Sequence, residues 1–171
     1  MNKLKNLILL ALIGILFSTN SNAQSFTKGQ QAINLGVGIG GGLGLPVGLS
    51  YEKAVTDRIG VGGYLAFSTK KDSFGGFGGW RYTHILAAAK GSYHFKVKSE
   101  KFDPYAGVLL GYNIASVKWT GDGEQPWSAS AGGLMLGVHA GARYWFSDRI
   151  GVFGELGYGA GILNVGVAFK L

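Results

Sequence analysis

The sequence predicts an all-β fold: an eight-stranded antiparallel up-and-down transmembrane β-barrel preceded by a cleaved signal peptide. Three observations predict it. Eight segments alternate apolar and non-apolar residues with period two, the signature of strands with two unlike faces. The face opposite the aliphatic one holds mainly glycine and small residues, where a water-covered sheet would carry Lys, Glu, Thr and Ser. The connections between segments are short on one side and include two long ones on the other.

The N-terminus places Lys3 and Lys5 ahead of an apolar run from Leu7 to Phe17 and a polar stretch ending Ser21-Asn22-Ala23. A basic start, a short apolar run and small residues before the cut describe a secretory signal peptide, residues 1–23. The run falls well short of the roughly 20 apolar residues of a spanning helix. Residues 24–30 form a short periplasmic segment, and residues 31–171 form the barrel. The net charge of +7 falls to +5 once Lys3 and Lys5 are removed. Its basic residues form no stripe, so nucleic acid is not an expected partner. With no cysteine, a disulfide framework, a thiolate metal site and a lipid-attachment cysteine are all excluded. Thirty-one glycines among 171 residues would disfavour helices, because an interior glycine there costs about 1 kcal/mol. After the signal peptide no stretch has the continuity of a membrane helix, so a membrane crossing requires a closed barrel.

The strands follow in order. Ile33, Leu35, Val37 and Ile39 alternate with Asn34, Gly36 and Gly38. Val47, Leu49 and Tyr51 alternate with Gly48, Ser50 and Glu52, and Ile59, Val61, Leu65 and Phe67 with Gly60, Gly62, Tyr64 and Ser68. The fourth segment sets Ile85, Ala87, Ala89, Tyr93 and Phe95 against His84, Leu86, Lys90, Ser92 and His94; the fifth sets Val108, Leu110, Tyr112 and Ile114 against Gly107, Leu109, Gly111 and Asn113. Leu134, Leu136, Val138, Tyr144 and Phe146 oppose Gly137, His139, Gly141, Arg143 and Trp145 in the sixth; Ile150, Val152, Leu156 and Tyr158 oppose Gly151, Phe153, Glu155 and Gly157 in the seventh. The eighth sets Val165, Val167, Phe169 and Leu171 against Asn164, Gly166, Ala168 and Lys170. Every mid-strand charge except Lys53 shares the glycine face. That face suits a crowded, partly polar interior, which turns the aliphatic face toward lipid.

Thr56-Asp57-Arg58-Ile59-Gly60-Val61 recurs as Ser147-Asp148-Arg149-Ile150-Gly151-Val152, a repeated tight turn in which the Asp is expected to bond its own backbone. The third connection on this side, residues 96–103, is longer and charged. The opposite connections are residues 40–46, 69–80, 118–132 and 159–161. Aromatics of aliphatic parity gather near the short-turn end (Tyr51, Tyr93, Phe95, Tyr144, Phe146, Phe169) and near the other (Phe67, Tyr112, Tyr158). Two such belts mark membrane interfaces.

The spacing of Asn164, Gly166, Phe169 and Leu171 resembles the C-terminal signal of bacterial outer-membrane barrels. With the topology and belts, residues from about 30 to 171 resemble the small outer-membrane β-barrel family related to OmpA and OmpX. The resemblance implies a Gram-negative outer-membrane location, contact with outer-membrane lipid and lipopolysaccharide, and handling by the β-barrel assembly machinery. A monomer is expected. First and fourth loops much shorter than those of the longest-looped relatives weaken any adhesion role. To leave no open edge in hydrocarbon, the last strand must pair with the first.

Glu52, Lys90, Arg143 and Glu155 share the interior face, and two acids and two bases there should pair as a lumen ion-pair network. An eight-stranded interior is just filled by side chains, so a wide pore is not expected. The alternatives are a narrow gated porin-like channel and a soluble periplasmic barrel binding a small apolar ligand. His84, His94 and His139 have no metal-ligand spacing; no metal, cofactor or catalytic residue is predicted, and the chain is not read as an enzyme. Gly36, Gly38 and Gly41 match a dinucleotide fingerprint literally, but a second strand follows instead of a helix. A possible loop contact patch comprises Lys70, Lys71, Phe74, Phe77, Trp80, Trp119 and Trp127, with Lys70, Lys71 and Lys118 placed to meet lipid phosphates.

Overall fold

A computed structural model describes residues 25–42, 44–73, 78–120, 128–157 and 161–171. The predicted signal peptide lies outside the described residues, as do Phe74, Phe77, Trp127 and Tyr158. Eight strands run β1 (Gln31–Ile39), β2 (Val47–Ala54), β3 (Ile59–Ser73), β4 (Gly79–His94), β5 (Phe102–Trp119), β6 (Ser128–Trp145), β7 (Ile150–Gly157) and β8 (Leu163–Lys170). Each pairs antiparallel with its sequence neighbour, and β8 pairs with β1 to close the barrel. The seam sets Ile33 opposite Phe169, Leu35 opposite Val167 and Val37 opposite Val165.

Burial is inverted relative to a water-soluble protein. Glu52, Lys90, His94, Asp103, His139, Arg143 and Glu155 are buried, while the exposed set includes Leu110, Leu136, Val138, Leu156 and Leu65. The interior fits large side chains against glycine. Gly48, Gly36, Gly166 and Phe153 lie in one cross-strand row. A Cβ on Gly36 or Gly166 would meet the Phe153 ring at 2.8 Å and also collide with backbone of the paired strand. Tyr64 fills the space over Gly48 in the same way. Alternating small and large residues is how a narrow barrel fills its taper. Of the apparent dinucleotide fingerprint, Gly36 and Gly38 therefore serve packing and Gly41 takes a positive φ of 85° in the turn after β1, while Gly166 of the terminal signal also admits Phe153.

The repeated short turns form, and the hydroxyl residue that opens each one bonds its backbone. Thr56 Oγ1 accepts from the backbone N–H groups of Arg58 at 3.2 Å and Ile59 at 2.9 Å, and Ser147 Oγ accepts from Ile150 at 3.0 Å. Asp57 Oδ1 accepts from Lys28 N–H of the N-terminal segment at 2.9 Å.

The barrel is lopsided. β1, β2, β7 and β8 have 8 or 9 residues, whereas β3 to β6 have 15 to 18. Residues 69–73, 79–80, 118–119 and 128–132 of the predicted loops are thus strand, and Lys70, Lys71, Trp80 and Trp119 all lie in β3, β4 or β5. A tall wall stands on one side of the long-loop end and a low rim on the other.

Candidate functional site

The lumen network is built at the short-turn half from six strands, β1, β2, β4, β5, β6 and β7. β6 supplies Arg143, fully buried, and all three arms of its guanidinium are used. Nη2 donates to Glu52 Oε2 at 2.5 Å, Nη1 to Asp103 Oδ2 at 3.2 Å, and Nε to Asn34 Oδ1 at 3.0 Å. His94 spans the same two acids, with Nδ1 2.6 Å from Asp103 Oδ1 and Nε2 3.3 Å from Glu52 Oε1. Arg143, Glu52, His94 and Asp103 therefore close a ring. A neutral imidazole has a single N–H and donates to one carboxylate, so only the doubly protonated ring donates to both. In that state the four groups balance in charge.

A second pair lies alongside. Lys90 Nζ donates to Glu155 Oε2 at 2.5 Å, and Tyr105 Oη donates to the same oxygen at 3.0 Å. The Tyr105 ring links the two assemblies: the Arg143 guanidinium lies 4.8 Å and Lys90 Nζ 5.3 Å from its centroid. His139 Nε2 lies 3.2 Å from Ser92 Oγ. Buried charges are tolerated only when paired and bonded in this way.

Thus the structure brings together Glu52 with Arg143 and Lys90 with Glu155. Sequence reasoning missed Asp103 and Asn34 as partners, and missed His94 as a bridging group. Asp103 falls within the predicted charged turn 96–103, yet it is the second residue of β5 and is 1% exposed. Phe26 was missed as well. It is buried and stacks on His94 with ring centroids 3.5 Å apart and planes 2° from parallel. Ser25 Oγ donates to Phe102 O at 2.9 Å and holds this segment across the short-turn end. The lone aromatic of the N-terminal segment, Phe26 in the otherwise polar or small stretch 24–30, was the available signal.

Between the network and the long-loop half, the space around Asn34, Ser50, Tyr64, Lys90, Phe153 and Glu155 amounts to about 10 Å³, no more than a single water occupies. Ala66 and Leu86 pack with Tyr64 and Met135 just above it.

The predicted patch separates by face. Trp80 and Trp119 lie opposite each other in register on lumen parity, edge to face at 5.0 Å. Lys70, also of lumen parity, pairs with Asp72 at 3.3 Å. Lys71 points outward and lies in register with Arg81, which in turn faces Lys118. In the terminal strand, Asn164 Nδ2 donates to Gly161 O at 3.4 Å, and Phe169 and Leu171 are exposed on the outer face. Among the described residues no group of three His, Cys, Asp or Glu is placed to hold a metal.

No protein-family model matches the chain, and no curated protein matches it. Solved structures do. The N-terminal β-barrel domain of Pseudomonas aeruginosa OprF superposes with a TM-score of 0.55 at 17% identity, covering 84% of this chain and 98% of that one. The outer membrane protein OprG of the same organism gives 0.57 at 13% identity, covering 86% and 99%. Ail of Yersinia pestis, in complex with the heparin analogue sucrose octasulfate, gives 0.55 at 16% identity, covering 84% and 96%. The chain has the fold of the small eight-stranded outer-membrane β-barrels.

Proposed function

We propose that the chain is an integral protein of the Gram-negative outer membrane, a barrel with a closed lumen that serves envelope structure or surface interaction and neither conducts solutes broadly nor catalyses a reaction. The observation that carries this reading is the inverted burial: charged groups inside, a continuous aliphatic surface outside. A soluble barrel with that exterior would present an apolar patch far above what monomers tolerate. The Arg143 ring, the Lys90–Glu155 pair and Phe26 support the closed lumen, because together they fill the short-turn half.

Outer-leaflet lipopolysaccharide is the proposed partner. Three successive cross-strand rows on the outer face change chemistry together. Phe67, Ile85 and Ile114 form an apolar row; Thr69, Thr83, Ser116 and Ser130 a hydroxyl row; Lys71, Arg81 and Lys118 a basic row. Rows of one face are about 7 Å apart along a strand, so the sequence of acyl chain, sugar and phosphate in a lipid is matched in order. Like charges directly opposite each other destabilise a sheet unless an anion lies between them. In Ail the bound heparin analogue is a sulfated sugar, which is chemistry of the same kind.

Reconstitution tests both parts. In vesicles, heat-modifiable migration is expected to report insertion, and planar-bilayer recording of the inserted protein is expected to give no steady conductance; large, steady channels would overturn the closed lumen. Added lipopolysaccharide should raise the unfolding temperature of the wild type but not of Lys71→Gln/Arg81→Gln/Lys118→Gln. Equal shifts in both would remove the basic row from the account.

A further inference from the structure

The long-loop half of the lumen holds a cavity of about 470 Å³, within the range of small-molecule sites. Its walls are mostly apolar, from Ala66, Leu86, Met135 and Ile162. None of its described lining residues is charged. Below it, Tyr64 and the Lys90–Glu155 pair close the way, so the cavity is a blind cup. Two polar atoms in its lining are buried and unpartnered: Ser68 Oγ and His84 Nδ1. These residues face each other directly across β3 and β4, and Ser68 is only 3% exposed. Such orphan groups cost free energy until something bonds to them.

The cup is also open in a particular direction. The low rim beside it consists of the β1–β2 and β7–β8 turns, whose described residues carry no charge and expose Leu45 and Ile162. On the far side of the same notch, β6 pairs with β7 only from His139 to Trp145, so residues 128–138 have no described strand partner there. That free stretch exposes Leu134 at 85% and Leu136 at 72%. The cup lining runs across the notch from Met135 through Gly157 to Ile162. Among the described residues near this end the charged groups, Lys70, Lys71, Asp72, Arg81 and Lys118, all stand on the tall wall.

We propose that this cup binds a small uncharged amphipath, an apolar body bearing one hydroxyl or amide group, that enters over the low rim from the outer leaflet. The apolar body lies on Leu86, Met135 and Ile162, and the polar group bonds Ser68 Oγ and His84 Nδ1. An ionic ligand finds no counter-charge among the described lining residues, and a plain hydrocarbon leaves the two orphan atoms unbonded. The route rests on the membrane placement proposed above; the cup itself does not.

The test uses the mature chain refolded in phospholipid vesicles and a photoactivatable primary alcohol, an alkyl-diazirine analogue of 1-octanol, with adducts mapped by mass spectrometry. The expected result is saturable labelling on the segments carrying His84–Leu86 and Met135, displaced by 1-octanol. Ala66→Trp, which fills the cup, should abolish that labelling. Ser68→Val/His84→Phe should retain it but raise the octanol concentration for half-displacement at least about five-fold, since about five-fold is the loss of one ordinary hydrogen bond and the variant removes both partners. Saturable labelling that survives Ala66→Trp, or half-displacement unchanged in the double variant, overturns the proposal, and a cup that holds only water gives no saturable labelling and overturns it too. Leu65 and Leu110 should take up unsaturable label in every variant; if they do not, the membrane placement fails, independently of the cup.

Discussion

Replacing Arg143 with Met is expected to lower the unfolding free energy of the refolded barrel by about 3–5 kcal/mol, the cost of stranding buried charges without their partner. Arg143 is the shared donor to Glu52, Asp103 and Asn34, and its removal leaves two carboxylates facing one His94 ring. Urea titration in lipid vesicles, read by heat-modifiable migration, measures the loss. Adding Glu52→Gln to Arg143→Met should recover much of it, because His94 and Asp103 then remain as a matched pair. A double variant no more stable than the single one would show that the ring does not act as a charge-balanced unit.

Leu110→Arg should cost about 2–4 kcal/mol, the penalty for a basic side chain on the lipid face at mid-membrane depth. Leu110 lies in the middle of β5, 59% exposed, between Ala89 and Leu136 in register. The same change at Leu171, exposed at the strand end, should cost roughly 0–1 kcal/mol, since the penalty fades toward the interface. Equal and small effects at both positions would place the outer face in water. The comparison depends on depth, so general intolerance of arginine cannot mimic it.

The parts of the fold legible in the sequence are those where hydrophobicity alternates. Where the strands set an aliphatic outer face against a glycine-rich inner one, the period of two located eight strands, and the need to leave no open edge gave the pairing of β8 with β1. Beyond that stretch the signal ends, although the strands do not. Thr69, Lys71, Arg81, Thr83, Ser116 and Lys118 are polar on a face that lower down is aliphatic, so this stretch reads as loop. It is held as strand by cross-strand pairing and by the Trp80–Trp119 contact, which alternation does not report.

The candidate site was half legible for a related reason. Glu52, Lys90, Arg143 and Glu155 stand out because a charge among glycines on the interior face demands a partner. Asp103 does not stand out, since it follows Lys96, Lys98, Glu100 and Lys101 and looks like one more solvated turn residue. His94 and Asn34 are polar residues on a partly polar face, and nothing local distinguishes a bridge from a filler. The contrast between Ser68 and Ser92 is similar: one is unpartnered at the cup, the other meets His139, and only the closed barrel separates them.

The most direct test of the central claim, that the aliphatic face meets lipid and the charged face is enclosed, is carbene labelling of the reconstituted protein with a lipid-soluble aryl diazirine, mapped along β5. The expected result is label with period two, on Val108, Leu110, Tyr112 and Ile114, sparing Leu109, Gly111 and Asn113. Label spread over both parities, or absent from both, would contradict it.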